Sequence, residues 1–266
     1  METLHLRYDK TGGAGNKLFQ YVHARLLCDI NGYDFSHTEI EGLIPANDKR
    51  DLGRVKDLYE PQRVLQDYNL FSDHLNEIKS WECFDEIEDV NEDDLVIHLR
   101  AGNRLLNKNA LYSATADVWE DALSKIKFNK LHVVTNLKKH DRWTSSDIQD
   151  AMDYLRENGG DGEPPEVYKR NDYPFLSVDH SLEYTNSFID LFNKYDVEWF
   201  SGSIREDFNY MRKFKKILFP RSTFSWWAAV TGVSDEVYVY GPWAPHKTKS
   251  KGSLGDTNYK GWKSWG

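Results

Sequence analysis

The sequence has few of the features that mark several large classes of protein. It contains only two cysteines, Cys28 and Cys83, and neither belongs to a metal-ligand spacing. A secreted disulfide framework is therefore not indicated, although a single bond between the two stays open. No apolar run approaches the length of a membrane span, and the N-terminal METLHLRYDKTGG has no signal-peptide core. These absences predict a soluble, cytoplasmic protein.

An excess of basic residues is also lacking. The formal net charge is -9, which argues against a nucleic-acid-binding surface because the phosphate backbone requires clustered lysine and arginine. The basic segment HKTKSK at 246–251 is too short to change this conclusion. It is typical of a solvated loop, and it could also attract a phosphorylated small molecule.

Several catalytic signatures are missing as well. The glycine-rich segment near the N-terminus has neither the glycine spacing of a dinucleotide-binding loop nor the Gly-Lys-Ser/Thr ending of a Walker loop. We find no nucleophile elbow and no Asp-x-Asp triplet; the pair Asp93 and Asp94 lies in an acidic stretch and is expected to be solvated. Dehydrogenases and α/β hydrolases are therefore disfavoured.

Apolar runs of strand length alternate with amphipathic helical patterns along most of the chain. This alternation predicts βα units that build a mostly parallel sheet, an α/β fold. The predicted strands are 4–9, 94–100, 130–136, 197–202, 216–220 and 236–242. The predicted helices are 16–30, 117–126, 145–160 and 181–195.

The alternation is regular only from residue 94 onward. The acidic stretch DEIEDVNEDD at 85–94 precedes it and is typical of a solvated connector. We therefore predict two Rossmann-like domains, one at 1–92 and one at 93–266.

Two motifs are predicted at the carboxyl ends of strands, where open α/β sheets bind ligands. In TGGAGNKLFQY at 11–21, glycines between a strand and a helix allow backbone N–H groups to approach a ligand, although a turn without a ligand would use the same residues. In VIHLRAGNRL at 96–105, strand alternation puts His98 and Arg100 on one face. The arginine offers a fork for a pyrophosphate or, alternatively, pairs with a structural carboxylate.

A third motif, PRSTFSWWAAVTG at 220–232, follows the apolar run KILF. Ser222, Thr223 and Ser225 place hydroxyls and backbone N–H groups at a predicted helix start, where they suit phosphate oxygens. Ser222 is also expected to cap this helix, and the two tryptophans that follow are expected to pack it onto the sheet.

In this order the three motifs resemble those of the alpha-1,2-fucosyltransferase family and the wider fucosyltransferase superfamily. GGAGNKLFQY at 12–21 is similar to the family's GGxGNQxFQY, and HLRAGN at 98–103 is similar to its HxRRGD. The segment 205–229 is similar to an Asp-Leu-x-x-Met stretch, an apolar strand and Asn-Ser-x-Phe-Ser-Trp-Trp. The resemblance implies a GT-B fold, in which domain 1–92 faces the acceptor and domain 93–266 holds the nucleotide sugar across a cleft.

The resemblance also implies an activity. The chain would be an inverting, metal-independent glycosyltransferase that moves L-fucose from GDP-fucose onto a hydroxyl of a glycan or glycoconjugate. Its partners would be the nucleotide-sugar donor and the glycan acceptor, with no further cofactor. A soluble enzyme of this kind fits a bacterial or viral source that builds surface glycans.

The roles of individual residues follow from the same resemblance. Arg100 is the implied catalytic residue, because it would bind the donor pyrophosphate and stabilise its charge as it leaves. Asp207 would accept hydrogen bonds from the guanine edge, and His98 would shape the nucleotide pocket. The other implied donor-binding residues are Gly13, Gly15, Asn16, Gly102, Asn103, Ser222, Thr223, Phe224 and Ser225.

The chain departs from the family at three positions of the first two motifs. Lys17, Ala101 and Asn103 stand where the family has Gln, a second Arg and Asp. The missing second arginine leaves the identity of the donor open, although Arg104 is close enough in sequence to compensate. A xylose or hexose nucleotide is one alternative, and an inactive relative that only binds sugar or nucleotide is another.

The base that would accept the acceptor's proton is not evident. Asp117 and Glu120 follow the arginine motif, but both are predicted in a helix start, where acids favour the helix dipole in any case. The base could instead come from the N-terminal unit, or be absent if the reaction is strongly dissociative.

Overall fold

The computed structural model describes residues 3–6, 8, 13–47, 58–59, 72–100, 105–106, 115–137, 140–160, 164–220, 222–240 and 261–265. The strands in these ranges are β1 (Thr3–Leu6), β2 (Asp34–His37), β3 (Leu58–Tyr59), β4 (Asn91–Leu99), β5 (Leu131–Thr135), β6 (Val197–Phe200), β7 (Phe214–Phe219), β8 (Glu236–Tyr240) and β9 (Lys263–Trp265). The helices are α1 (Ala14–Asn31), α2 (Leu75–Lys79), α3 (Ala116–Lys125), α4 (Ser145–Asn158), α5 (Pro165–Tyr168), α6 (Val178–Phe192), α7 (Ile204–Arg212) and α8 (Thr223–Thr231). A single 3-10 turn at Ser72–His74 leads into α2.

The strands form two parallel sheets. β1 is central in a three-stranded sheet of order β2-β1-β3, and the other six strands form a sheet of order β6-β5-β4-β7-β8-β9. In the larger sheet the chain runs outward from β4 to β6 and then returns to β7 on the other side of β4. This is the strand order of a doubly wound, Rossmann-like sheet, and the order reverses between β4 and β7. The predicted α/β fold with a mostly parallel sheet is confirmed.

All predicted strands and helices are present, with ends that differ by at most three residues. The prediction missed β2, β3 and β9, which are short, and it missed α2, α5 and α7. Their segments are too short or too polar to show a clear apolar period, and neighbouring elements supply the packing that forms them. The segment 157–166, predicted as a loop, ends α4 and begins α5.

A shared hydrophobic core joins α1 to α8. The ring of Phe19 on α1 lies 5.1 Å from the ring of Trp226 and 4.9 Å from that of Trp227, centroid to centroid. All three side chains are buried. The tryptophans are core residues, as predicted, but their aromatic partner on α1 was not foreseen.

The C-terminal ends of α7 and α8 are tied by one buried cation. Arg212 donates hydrogen bonds to the backbone oxygens of Thr231 and Asp85 and to Asn209 Oδ1. Carbonyls at the end of a helix attract a cation, which compensates in part for its burial. Burial lowers the pKa of Arg212 to about 10. This contact fixes the relative position of two helices whose other ends face the candidate site.

The acidic stretch 85–94 is not a simple solvated connector. β4 begins within it, and Asp94 is half-buried, where it accepts a hydrogen bond from the Lys130 backbone N–H at 3.1 Å and lies 3.1 Å from His132 Nε2. The expectation that Asp94 is solvated is therefore wrong, because strand pairing brings these partners beside it. The division of the chain at 92/93 falls inside β4 and stays a prediction.

Cys28 and Cys83 are free thiols. The disulfide that the sequence left open is therefore not formed. In the part of the chain that the structure describes, no helix is both long enough and apolar enough to cross a membrane.

Phe19→Ala is expected to lower the free energy of unfolding by about 3–5 kcal/mol, because it removes a buried ring and leaves a cavity between α1 and α8. Urea unfolding followed by circular dichroism measures this loss. Ile30→Ala on the same helix is the matched control, since Ile30 is 67% exposed and its truncation should change stability by no more than about 0.5 kcal/mol. Equal losses in both variants would contradict a common core between α1 and α8.

Candidate functional site

The carboxyl ends of strands from both sheets meet at a cleft of about 290 Å³. Its walls come from the loops before α1 and after β2, the segments after β4 and β5, and the starts of α7 and α8. The residues that line it are Gly13, Ala14, Gly15, Asn16, Glu41, His98, Arg100, Asn136, Ile204, Asp207, Ser222, Thr223 and Phe224. The strand order reverses at this cleft, which is where doubly wound sheets bind ligands.

Helices α1 and α8 begin side by side at the cleft. A Cβ added to Gly15 would lie 2.3 Å from the backbone nitrogen of Phe224, so this position has no room for a side chain. Thr223 Oγ1 donates a hydrogen bond to Asn16 Oδ1 at 3.0 Å and links the two helix starts. The glycine of the first motif therefore serves a close approach of two backbones.

Both helix starts suit an anion. Ser222 caps α8, and its hydroxyl accepts a hydrogen bond from the Ser225 N–H at 3.2 Å, as predicted. Gly13 occupies the capping position of α1 with extended backbone and no side chain. Neither helix has an acidic residue in its first turn. Two positive helix-dipole ends, each with backbone N–H groups that need acceptors, thus face one cleft.

His98 at the end of β4 connects the sheet to α8. Its Nδ1 lies 2.5 Å from Ser225 Oγ and 3.4 Å from Ser222 Oγ, and its ring packs 5.7 Å from that of Phe224. Burial, assisted by the charge of Arg100, lowers the pKa of His98 to about 3. The ring is therefore neutral at physiological pH, and it positions the start of α8 without adding a second charge.

Arg100 brings a fixed positive charge to the same cleft. It follows β4 directly, and Asn136 follows β5. Leu99 pairs with Thr135 in the parallel register, so the two strands deliver Arg100 and Asn136 side by side. A guanidinium keeps its charge at all physiological pH values and presents a fork to phosphate oxygens.

Asp207 stands in the first turn of α7, where it accepts a hydrogen bond from the Gly202 N–H at 2.8 Å. Burial raises the pKa of Asp207 to about 6. Ile204, the first residue of α7, also lines the cleft, and its side chain is partly exposed. A poorly solvated carboxylate beside an apolar side chain suits a flat ligand that offers N–H donors at its edge.

Most of the residues implied by the resemblance come together. Those that line the cleft are Gly13, Gly15, Asn16, His98, Arg100, Asp207, Ser222, Thr223 and Phe224. Ser225 was implied to contact the donor, but it is fully buried and contacts the lining residues His98 and Ser222 instead of the cleft itself. Gly102 and Asn103 lie outside the described residues.

The two acids considered as a base lie elsewhere. Asp117 and Glu120 are on α3, and Glu120 accepts a hydrogen bond from Lys194 Nζ at 2.6 Å. Neither is among the described residues that line the cleft.

Among the residues that line the cleft, sequence reasoning missed Ala14, Glu41, Asn136 and Ile204. Asn136 ends the predicted strand 130–136, and the rule that ligands bind at carboxyl ends of strands would have singled it out. Glu41 lies in a loop that belongs to no motif, so nothing in the sequence marked it.

No protein-family model, no curated protein and no solved structure matches the chain.

Gly15→Ala is expected to lower the free energy of unfolding by about 2–3 kcal/mol, because the new methyl group would overlap the backbone of α8. Gly13→Ala is the matched control for stability, since its Cβ would meet no atom within 4 Å, and we expect it to cost less than about 1 kcal/mol. Urea unfolding compares the two. A Gly15→Ala variant as stable as Gly13→Ala would contradict the close approach of the two helix starts.

Asp207→Asn is expected to raise stability more at pH 7 than at pH 4. The pKa of the folded carboxyl, about 6, exceeds its ordinary value of 3.8, so the folded form holds this proton more tightly and the wild type loses stability as the pH rises from 4 to 6. Asparagine carries no charge to desolvate. After allowance for the solvent that still reaches the side chain, we expect a relative gain of about 1 kcal/mol at pH 7.

Urea unfolding of both proteins at pH 4, 5.5 and 7 measures the Asp207 effect. The same stability difference at all three pH values would show that burial does not raise the pKa of Asp207.

Proposed function

We propose that this chain is a glycosyltransferase that takes a sugar from a nucleoside diphosphate sugar. The observation that carries the proposal is the convergence of Arg100 with the starts of α1 and α8 where the strand order reverses. Two helix N-termini and a guanidinium supply fixed positive charge at one place. A diphosphate is the common ligand that best matches this charge and the hydroxyl and N–H donors around it.

The same groups favour the chemical step. When a nucleotide sugar is cleaved, positive charge develops on the sugar ring and negative charge grows on the leaving diphosphate. Donors that are already in place stabilise growing charge without reorganisation. Arg100 and the N–H groups of both helix starts can meet the leaving group in this way without a metal ion. We expect inversion, with the acceptor hydroxyl attacking from the side opposite the diphosphate.

Asp207 supports a guanine nucleotide as donor. Guanine presents adjacent N–H donors on its Watson–Crick edge, and one carboxylate can accept from both. Hydrogen bonds from a bound guanine offset the free-energy cost of keeping this carboxylate poorly solvated. Ile204, one turn earlier on α7, can cover a face of the base. L-fucose as the sugar, with GDP-fucose as donor, rests on the resemblance of the three motifs.

The two-domain GT-B arrangement belongs to the same proposal. Helix α1 and the loop after β2 come from the smaller sheet, and the starts of α7 and α8 come from the larger one. In this arrangement the larger sheet holds the donor and the smaller sheet faces the glycan acceptor.

Arg100→Ala is expected to weaken the binding of GDP and GDP-sugars by about 2–4 kcal/mol, because it removes the charge that faces the diphosphate. Isothermal titration against GDP, UDP and their sugars measures this loss. Arg142→Ala is the matched control, since that side chain is 67% exposed and pairs with Asp190 away from the cleft. Equal affinity in the wild type and Arg100→Ala would contradict a diphosphate site at Arg100.

A nucleotide-release assay with a mixture of simple sugar acceptors tests turnover. Release of GDP from GDP-fucose that depends on acceptor is the expected result. Binding of UDP without GDP would overturn the fucose donor, and binding of nucleotide sugars without release would indicate an inactive relative.

A further inference from the structure

Glu41 is a cleft carboxylate that neither the motifs nor the resemblance assigns. It lies in the loop after β2, and it lines the same cleft as Arg100 and Asp207. Among the described residues that line the cleft, Glu41 and Asp207 are the carboxylates. Glu41 comes from the side of the smaller sheet, whereas Arg100 and Asp207 come from the larger one.

The backbone at Glu41 is held in an uncommon conformation. Its φ is 40°, in the left-handed region that residues other than glycine seldom adopt. The turn around it is closed by a hydrogen bond from the Ile40 N–H to the Ile44 oxygen at 2.9 Å and by one from the Gly42 N–H to Glu39 Oε1 at 2.8 Å. Such backbone strain clusters at functional sites, where it sets the direction of a side chain.

Lys17 orients the carboxylate. Its Nζ donates to Glu41 Oε1 at 2.5 Å, and the two side chains are 17% and 30% exposed. Oε2 has no hydrogen bond to the described part of the chain. The fucosyltransferase family has glutamine at the position of Lys17. Lysine at this position provides the cation that pairs with Glu41. One carboxylate oxygen is thus held by a cation, and the other remains for a ligand.

We propose that Glu41 is the general base of the acceptor site, an inference that rests on the proposed function. Glu41 Oε2 accepts the proton of the acceptor hydroxyl while that oxygen forms its bond to the anomeric carbon. The bond from the anomeric carbon to the diphosphate oxygen breaks, and its electron pair leaves with the diphosphate toward Arg100. The proton stays on Glu41 until product leaves, so charge and atoms balance without a further reactant.

The other charged and titratable groups of the cleft have different tasks. Asp207 on α7 accepts from the Gly202 N–H on the side of the larger sheet. His98 is neutral and bonded to Ser225. Arg100 faces the leaving group, and Lys17 on α1 holds Glu41. In the proposed arrangement the acceptor enters on the side of the smaller sheet, and Glu41 is the described carboxylate that lines the cleft on that side.

Glu41→Gly separates catalysis from folding. Glycine adopts a φ of 40° without strain, so we expect the melting temperature to stay the same or to rise. Transfer at saturating donor should fall by about 100- to 10,000-fold, while the affinity for GDP should stay within threefold of wild type. Added formate, a small carboxylate that fits the vacated space, should restore part of the transfer. Glu41→Gln should show the same loss of transfer, but it should not relieve the backbone strain at this position.

Lys17→Met is the companion variant, because it keeps the carboxylate and removes its cation. Its transfer should fall below that of the wild type but stay above that of Glu41→Gly, because the carboxylate that accepts the proton remains and only loses the contact that orients it. Its affinity for GDP should stay within threefold of wild type. Transfer by Lys17→Met as low as that by Glu41→Gly would contradict a role for Lys17 that is limited to orientation.

The outcomes distinguish this inference from the proposed function. Transfer by Glu41→Gly within tenfold of wild type, with donor binding intact, overturns Glu41 as the base and leaves the proposed function standing. Parallel loss of donor binding and transfer in Glu41→Gly assigns Glu41 a structural role and also overturns the inference. A wild-type protein that binds no nucleotide sugar overturns both.

Discussion

The close approach of helix α1 to helix α8 is the contact on which the candidate site depends. At Gly15 the two backbones leave no room for a side chain, and one turn further along α1 Phe19 packs against both Trp226 and Trp227. This packing brings two helix starts, which arise from different sheets, to the same cleft. Without it the N–H groups of each helix would face solvent separately, and neither would be a strong site for a diphosphate.

The electrostatics of the cleft contrast with those of the whole chain. The protein carries a formal net charge of -9, yet a guanidinium, two positive helix ends and a histidine that burial keeps neutral meet at the strand reversal, in the same cleft as the carboxylates of Asp207 and Glu41. Local geometry decides where a diphosphate meets positive charge, because charge close to a ligand in a partly desolvated cleft outweighs distant charge that solvent screens. Among the described residues that line the cleft, the two carboxylates stand in unlike surroundings: Asp207 is poorly solvated, and Glu41 is paired with Lys17. Unlike surroundings are what allow two acids in one site to take different roles.

Much of the larger sheet could be predicted, because its central strands β4, β5 and β7 are largely buried and contain continuous apolar runs. The ends of β4 and β7 could also be predicted, and with them the meeting of Arg100 with the start of α8. The partly buried position of Asp94 could not be predicted, since its partners His132 and the Lys130 backbone come from the beginning of a neighbouring strand. Ser225 looked like a ligand-binding hydroxyl in the sequence, and the structure buries it against His98. A hydroxyl one turn into a helix points into the core or into the cleft according to how the helix is rotated, and packing alone sets that rotation.

The amino-acid sequence by itself determined the α/β class, the succession along the chain of most strands and helices of the larger sheet, and the capping of α8 by Ser222, because periodicity and local side-chain chemistry are properties of short segments. Tertiary structure decided which strand ends become neighbours, that α1 packs on α8, and that Glu41 enters the cleft from the smaller sheet. These features join residues far apart in the chain, as Thr223 and Asn16 are joined. They depend on shape and burial that emerge only when the sheets and helices are packed together.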